Sequence, residues 1–205
     1  MSDHSNAAIT GQRNCLSRMP MPAPKASVCV FCGARAGARP AYTADARAMG
    51  AMLAHNNWRL VYGAGDVGLM GEVARTAQAA GGETFGVIPV HLLNREVGKR
   101  DLSTFVVTET MHERKKVMFM NCDAIVVLPG GGGSLDEFFE VLTWRQLGLH
   151  EKPIVLLNTE GYWDPLVALL KRIVAEGFAE PTLSGFVQIA DSVAEAEAAL
   201  TAALG

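Results

Sequence analysis

The segment Pro129 to Glu137, PGGGGSLDE, decides how the rest of the chain reads. It follows residues 123–128 (DAIVVL), a short apolar run of the kind that forms a buried strand. It precedes residues 138–147 (FFEVLTWRQL), whose spacing predicts an amphipathic helix. Strand, tight glycine turn and helix start together make a geometry that holds anions. Four successive glycines, Gly130, Gly131, Gly132 and Gly133, let the backbone approach a ligand and admit positive φ. The unpaired N–H groups and the dipole of the following helix attract a phosphate. Ser134 is placed either to cap that helix or to give its hydroxyl to the phosphate. Glu137, three residues later, has the spacing of a capping box. It reads as that cap or as a carboxylate held beside the phosphate.

Outward from this turn, strand and helix patterns alternate. Strands are expected over residues 27–32, 58–62, 84–90, 104–108, 123–128, 152–157 and 186–190. Between them, helical spacing covers 42–56, a stretch from the GAGDVGLMG turn (63–71) to 80, and then 111–121, 138–147 and 162–176. A closing helix spans 192–204, and residues 91–103 read as a polar loop. The strands are near-continuous apolar runs, which implies a sheet covered on both faces. The expected fold is α/β: a Rossmann-like, doubly wound, mainly parallel sheet in a single domain over residues 27–205. In such sheets ligands bind at the carboxyl ends of strands where strand order reverses. Both glycine turns lie at strand carboxyl ends, so one crevice is expected to serve both.

Composition narrows the class. A chain of 205 residues is long enough for one well-buried domain. A net charge of −3 carries no bulk signature of nucleic-acid binding. No apolar run reaches the roughly 18 residues needed to span a membrane. Residues 1–26 mix polar residues with prolines and lack the apolar core of a signal peptide, so a disordered leader and a cytoplasmic protein are expected. Cys29 and Cys32 form a CxxC inside a strand pattern. Residues three apart in a strand point to opposite faces, so these two read as packing cysteines. No zinc spacing and no metal site is expected from them, Cys15 or Cys122.

The remaining motifs narrow the chemistry. Gly63-Ala64-Gly65-Asp66-Val67-Gly68 fits GxGxxG, but no acid stands at the end of the next strand to hold a ribose, as a dinucleotide site requires. The turn reads as phosphate-facing or as a packing turn, not as an NAD site. In MHERKKVM (111–118), two cations near a helix start oppose its dipole, and Arg114 and Lys115 share a face with Met111 and Met118. Such breaks in a core pattern concentrate at functional sites; the alternative is snorkelling over apolar surface. Arg114 reads as functional, and Lys115 fits either account. Glu96 is a loop acid, Glu140 and Thr143 share a helix face near Glu137, and Trp144 reads as core or as a lid. Phosphate-holding turns, one arginine and one carboxylate suit cleavage of an N-glycosidic bond in a nucleotide. A carboxylate there stabilises an oxocarbenium-like sugar or activates water, and the phosphate positions the ribose.

VCVFCGAR, LVYGAGDVGLMG, MHERKKVM, LPGGGGSLDEFFEVLTWRQLGLHEKP and GYWDPL together resemble the Lonely Guy family. These are cytokinin riboside 5′-monophosphate phosphoribohydrolases, often misnamed lysine decarboxylases. The resemblance runs from about residue 27 to the C-terminus. The family motif PGGxGTxxE stands here with Ser134 in place of the usual Thr, which keeps the hydroxyl. The GAGDVG turn stands where GGGSIG-like turns are common. The resemblance implies a Rossmann-like enzyme, usually a homodimer, without a cofactor. It would hydrolyse a nucleoside 5′-monophosphate (a cytokinin riboside monophosphate, and AMP) to free base and ribose 5-phosphate. It implies catalytic roles for Arg114 and Glu137. It implies substrate contacts for Glu96, Arg114, Lys115, Gly131, Gly132, Gly133, Ser134, Leu135, Asp136, Glu137 and Thr143. Lysine decarboxylation would need a pyridoxal phosphate lysine, and no lysine follows either glycine turn in position to hold that cofactor. A non-catalytic nucleotide-binding module is the competing reading, and an NAD(P)-dependent enzyme the third.

Overall fold

The computed structural model of the chain describes residues 23–93 and 98–205. The expected leader lies outside the described residues as far as position 22, as does Cys15. From residue 23 the chain is already tied down. Asn57 donates its side-chain amide to the Ala23 carbonyl at 3.0 Å, and the Lys25 N–H donates to the Asn57 carbonyl at 2.9 Å.

Seven strands form one parallel sheet: β1 (Ala26–Phe31), β2 (Trp58–Tyr62), β3 (Thr84–Pro89), β4 (Thr104–Thr108), β5 (Ala124–Val127), β6 (Ile154–Leu157) and β7 (Val187–Ala190). Their spatial order is β4-β3-β2-β1-β5-β6-β7. The chain runs outward from β1 to one edge, crosses back to β5 and runs outward to the other. Strand order therefore reverses between β1 and β5, where Val28 faces Ala124 and Phe31 faces Val127.

Strand side chains alternate between two cores, as a period of two requires. Val28, Val30 and Cys32 enter one core, and Cys29 and Phe31 the other. Helices α1 (Pro40–His55), α2 (Gly68–Ala79) and α6 (Val193–Leu204) cover the first face. Helices α3 (Met111–Met120), α4 (Gly132–Gln146) and α5 (Asp164–Ala175) cover the second. The doubly wound parallel fold expected from the sequence is the fold observed. The split of Cys29 and Cys32 between opposite faces bears out their reading as packing cysteines. Burial pushes the Cys32 thiol well above its ordinary range, with the Glu137 carboxylate adding to the shift and Arg114 opposing it.

One element starts elsewhere than expected. Helix α4 begins at Gly132 rather than at residue 138, with Gly131 as its N-cap and no side chain capping it. Its first i to i−4 bond runs from the Leu135 N–H to the Gly131 carbonyl at 3.1 Å. Phe138, Val141 and Leu142 anchor the helix in the second core. That burial carries it back through two glycines whose intrinsic propensity is poor. Ser134 is thus the third helical residue, and of the two readings of Glu137 the cap on Ser134 is not formed.

Candidate active site

A cavity of about 520 Å³ opens at the carboxyl end of the sheet, at the switch point between β1 and β5. The turn after β1, residues 33–37, forms one wall. The turn after β5 and the first turns of α4 form another, through Pro129, Gly130, Gly131, Gly133, Ser134, Asp136 and Glu137. Arg114 of α3, Gly63 after β2, and the side chains of Tyr42 and Tyr162 also line the cavity. An open α/β sheet places its ligand in such a crevice because only there do two neighbouring loops diverge to opposite faces.

The glycine turn works through space rather than through unusual backbone. None of Gly130, Gly131, Gly132 and Gly133 has positive φ, contrary to the expectation from sequence. A Cβ added to Gly131, Gly132 or Gly133 would meet nothing within 4 Å, so all three border open space. A Cβ at Gly130 would overlap the Ser134 side chain, which is buried beneath it. The turn thus leaves bare backbone at the start of a 15-residue helix. The N–H groups of a helix's first turn have no intrahelical partner, and an anion lying there meets both those groups and the positive end of the dipole.

Arg114 reaches the cavity from α3, on the same face of the sheet as α4 but over β2 and β3. Thr110 and Glu113 form a reciprocal capping box at the start of α3, with the Glu113 N–H donating to Thr110 Oγ1 at 3.2 Å and the Thr110 N–H donating to Glu113 Oε2 at 3.1 Å. The Glu113 carboxylate in the first turn offsets the unfavourable placing of cations there. Arg114 is only 4% exposed, so it does not snorkel. Its Nε donates to the Val87 carbonyl at 3.1 Å and its Nη2 to the Gly63 carbonyl at 2.8 Å. A Cβ on Gly63 would overlap Nη2. The first glycine of GAGDVG is therefore a seat for the arginine. Gly68, at φ +55°, abuts the backbone of Ala34 and Arg35. Of the two readings of this turn, close packing is the one observed at both residues, although Gly63 also lines the cavity.

Lys115 is buried one residue away but does not line the cavity. Its Nζ lies 2.9 Å from Asp136 Oδ2 and 3.2 Å from Glu140 Oε1. Burial alone would push this ammonium down, but the two carboxylates outweigh it and hold it above its ordinary value. Lys115 thereby docks α3 against α4, and so fixes Arg114 relative to Glu137.

The expected site residues divide accordingly. Arg114, Gly131, Gly133, Ser134, Asp136 and Glu137 come together on the cavity, and Gly132 borders the same open space. Leu135 turns its side chain into the second core. Thr143 is exposed farther along α4, off the cavity. Glu96 lies outside the described residues. Trp144 packs edge-on against Phe119 with ring centroids 4.8 Å apart, as core rather than as a lid over this cavity. Arg35, Tyr42 and Tyr162 also line the cavity and had no local signal in the sequence. Arg35 sits in a small-residue loop, and the two tyrosines lie in segments that read as helix.

Fold and cavity together define a Rossmann-like α/β protein with a glycine-lined crevice at its switch point. The family model described as "Possible lysine decarboxylase" matches residues 70–200. A probable cytokinin riboside 5′-monophosphate phosphoribohydrolase of Oryza sativa subsp. japonica is 42% identical over 88% of this chain and 78% of its own length. A cytokinin riboside 5′-monophosphate phosphoribohydrolase of Arabidopsis thaliana is 41% identical over 82% of this chain and 79% of its own. The chain belongs to the Lonely Guy family of phosphoribohydrolases. Among solved structures, the molybdenum cofactor carrier protein of Chlamydomonas reinhardtii shares the fold, with a TM-score of 0.68, 24% identity, and coverage of 87% of this chain and 98% of that one. The decarboxylase wording of the family model does not fit the site. A pyridoxal phosphate enzyme needs a lysine amine at its cofactor, and no lysine is found among the described residues of the cavity.

Proposed function

We propose that this protein hydrolyses the N-glycosidic bond of nucleoside 5′-monophosphates, cytokinin riboside 5′-monophosphates and AMP, releasing the free base and ribose 5-phosphate. The observation that carries the reading is that Glu137 and Arg114, from opposite sides of the switch point, line one cavity with the bare start of α4. The relatives' activity points to the same reaction.

The chemistry follows from position. The phosphate sits on the backbone of Gly131, Gly132 and Gly133, with the Ser134 hydroxyl beside it. Glu137 lies about 7.5 Å farther along the helix axis than Gly132, a span that a ribose fills. As the bond from the sugar to the base breaks, positive charge develops on the ribose. The Glu137 carboxylate stabilises that charge or takes a proton from the attacking water. Arg114 offsets the charge of the phosphate and of Glu137, and its two backbone bonds hold it in place before substrate arrives. Substrate contacts from Lys115, Leu135, Thr143 and Glu96 remain part of the proposal. The first two would act through α4 and its backbone.

We also infer a homodimer acting in the cytoplasm. Met120, Leu147 and Leu149, each 67–68% exposed, mark the adjoining ends of α3 and α4 as an apolar surface. Three described cysteines are free thiols, as in a reducing compartment. Among the described residues no helix is long and apolar enough to cross a membrane.

The test is release of base from AMP and from isopentenyl-AMP, followed by chromatography. The native protein is expected to release base and ribose 5-phosphate, and Glu137→Gln to lose at least about 100-fold in kcat. A folded Glu137→Gln variant with full turnover would sink the assignment. Binding of AMP by the native protein without any release would favour a nucleotide-binding module.

A further inference from the structure

The segment GYWDPL (161–166) has no part in the chemistry above, yet its tyrosine touches the glycine turn. The Tyr162 hydroxyl donates to the Gly130 carbonyl at 2.6 Å across 32 positions of sequence. Tyr162 lines the cavity, as do Gly130 and Gly131. A peptide unit is planar, and all those described here are trans. Its C=O and N–H point in opposite directions. Fixing the Gly130 carbonyl therefore fixes where the Gly131 N–H points. The preceding peptide is held in the same way, because the Gly33 N–H donates to the Pro129 carbonyl at 3.0 Å. Two successive peptides of the turn are thus clamped from outside it, one by β1's turn and one by Tyr162.

The loop that presents Tyr162 is itself held from several sides. Glu160 and Gly161 both have positive φ, 51° and 72°. A non-glycine residue in that region is strained and persists only where its surroundings hold it. Here they do. Thr159 Oγ1 donates to Asp45 Oδ2 at 2.6 Å, and Arg39 pairs with Glu160 at 3.0 Å. Asn158 Nδ2 donates to Asp164 at 3.0 Å and to Asp191 at 3.1 Å, while Asn158 Oδ1 accepts the Trp163 N–H at 2.7 Å. The Tyr162 ring is wedged edge-on between Tyr42 and Trp163, with centroids 5.5 and 4.7 Å away. Four glycines in a row are otherwise the freest backbone a chain can have. A turn that must meet a phosphate with preset N–H groups needs an outside constraint.

We propose that Tyr162 is a positioning residue for the phosphate end of the site: its hydroxyl locks the peptide between Gly130 and Gly131 so that the N–H groups of the turn are preset for the substrate's 5′-phosphate. This rests on the phosphoribohydrolase reading, which it deepens. The test is Tyr162→Phe, which keeps the ring and its edge contacts and removes only the donor. Three quantities are compared with the native protein: kcat and KM for AMP, competitive inhibition by ribose 5-phosphate and by adenine, and inorganic phosphate binding by calorimetry. Thermal unfolding within a few degrees of native confirms that the variant is folded. The expected result is a rise of about 10-fold in KM for AMP and in the constants for ribose 5-phosphate and phosphate, the size of one lost hydrogen bond. The kcat stays within about threefold, and adenine inhibition is unchanged. Equal phosphate and ribose 5-phosphate binding by variant and native protein overturns the proposal. So does a loss that is the same for adenine, which would mean a general loosening of the cavity. A native protein that binds no phosphate also overturns it. A native protein that binds phosphate but releases no base overturns the hydrolase reading alone, and the phosphate titration still decides the role of Tyr162.

Discussion

At the scale of the residue, Arg114 is the most constrained cation of the site. It is buried on a helix face with Met118, and both backbone carbonyls that receive its guanidinium belong to the sheet layer beneath α3, Val87 of β3 and Gly63 just after β2. Removing either acceptor would leave a buried charge poorly satisfied, which costs far more than a surface ion pair contributes. Gly63 does not need glycine for its φ; it needs it because a Cβ would occupy the position of Nη2. Gly63→Ala is therefore expected to destabilise the fold by about 1–3 kcal/mol, as overpacking does. It should also lower kcat/KM for AMP at least 10-fold by displacing the guanidinium. Urea unfolding together with steady-state kinetics checks this. Native kinetics in a stable Gly63→Ala protein would show that Arg114 has no fixed seat.

At the scale of the element, α3 and α4 begin in opposite ways. Helix α3 is closed by the Thr110–Glu113 capping box, which also receives the Glu109 N–H on Glu113 Oε2 at 2.9 Å. Helix α4 begins on bare glycine, with no capping side chain. The first arrangement serves stability, and the second leaves donors for a ligand. Thr110→Ala should accordingly cost about 1 kcal/mol of stability, the usual worth of such a cap. A lowered denaturation midpoint with an unchanged slope is the expected reading. No change in midpoint would mean that the docking of α3 through Lys115 carries the helix start without the cap. The opposing starts were half legible in the sequence. PGGGGSLDE announced an anion turn, but the S-x-x-E spacing imitated a capping box. The local pattern does not reveal that burial of Phe138 and Val141 extends the helix back into the glycines.

At the scale of the whole molecule, the sheet divides the work. One face is sealed by α1, α2 and α6, and the other by α3, α4 and α5. The second face ends in an uncovered apolar margin. Phe119 and Trp144 meet edge-on there, and Met120, Leu147 and Leu149 stand exposed beside them. Thr143, expected at the substrate but lying off the cavity, belongs to this same end of α4. A second copy seated on this margin is the arrangement we propose. Sedimentation at micromolar concentration should give a dimer, and the double substitution Leu147→Glu with Leu149→Glu should give a monomer. A native monomer, or a double variant that still dimerises, would place the interface elsewhere or remove it.

Periodicity, turn residues and motif spacing were enough to determine a doubly wound parallel sheet, the order of its elements and the place of the segment from Pro129 to Glu137 at a strand's carboxyl end. These are properties of local pattern, and a buried strand or a helix start advertises itself within ten residues. Tertiary structure alone decided which chemistry those segments share. It brought Arg114 through Gly63 to the same cavity as Glu137. It set Lys115 behind that cavity rather than in it, and it laid the Tyr162 hydroxyl on Gly130. Each of these joins residues at least 20 positions apart, and no local spacing encodes a hydrogen bond made across a switch point.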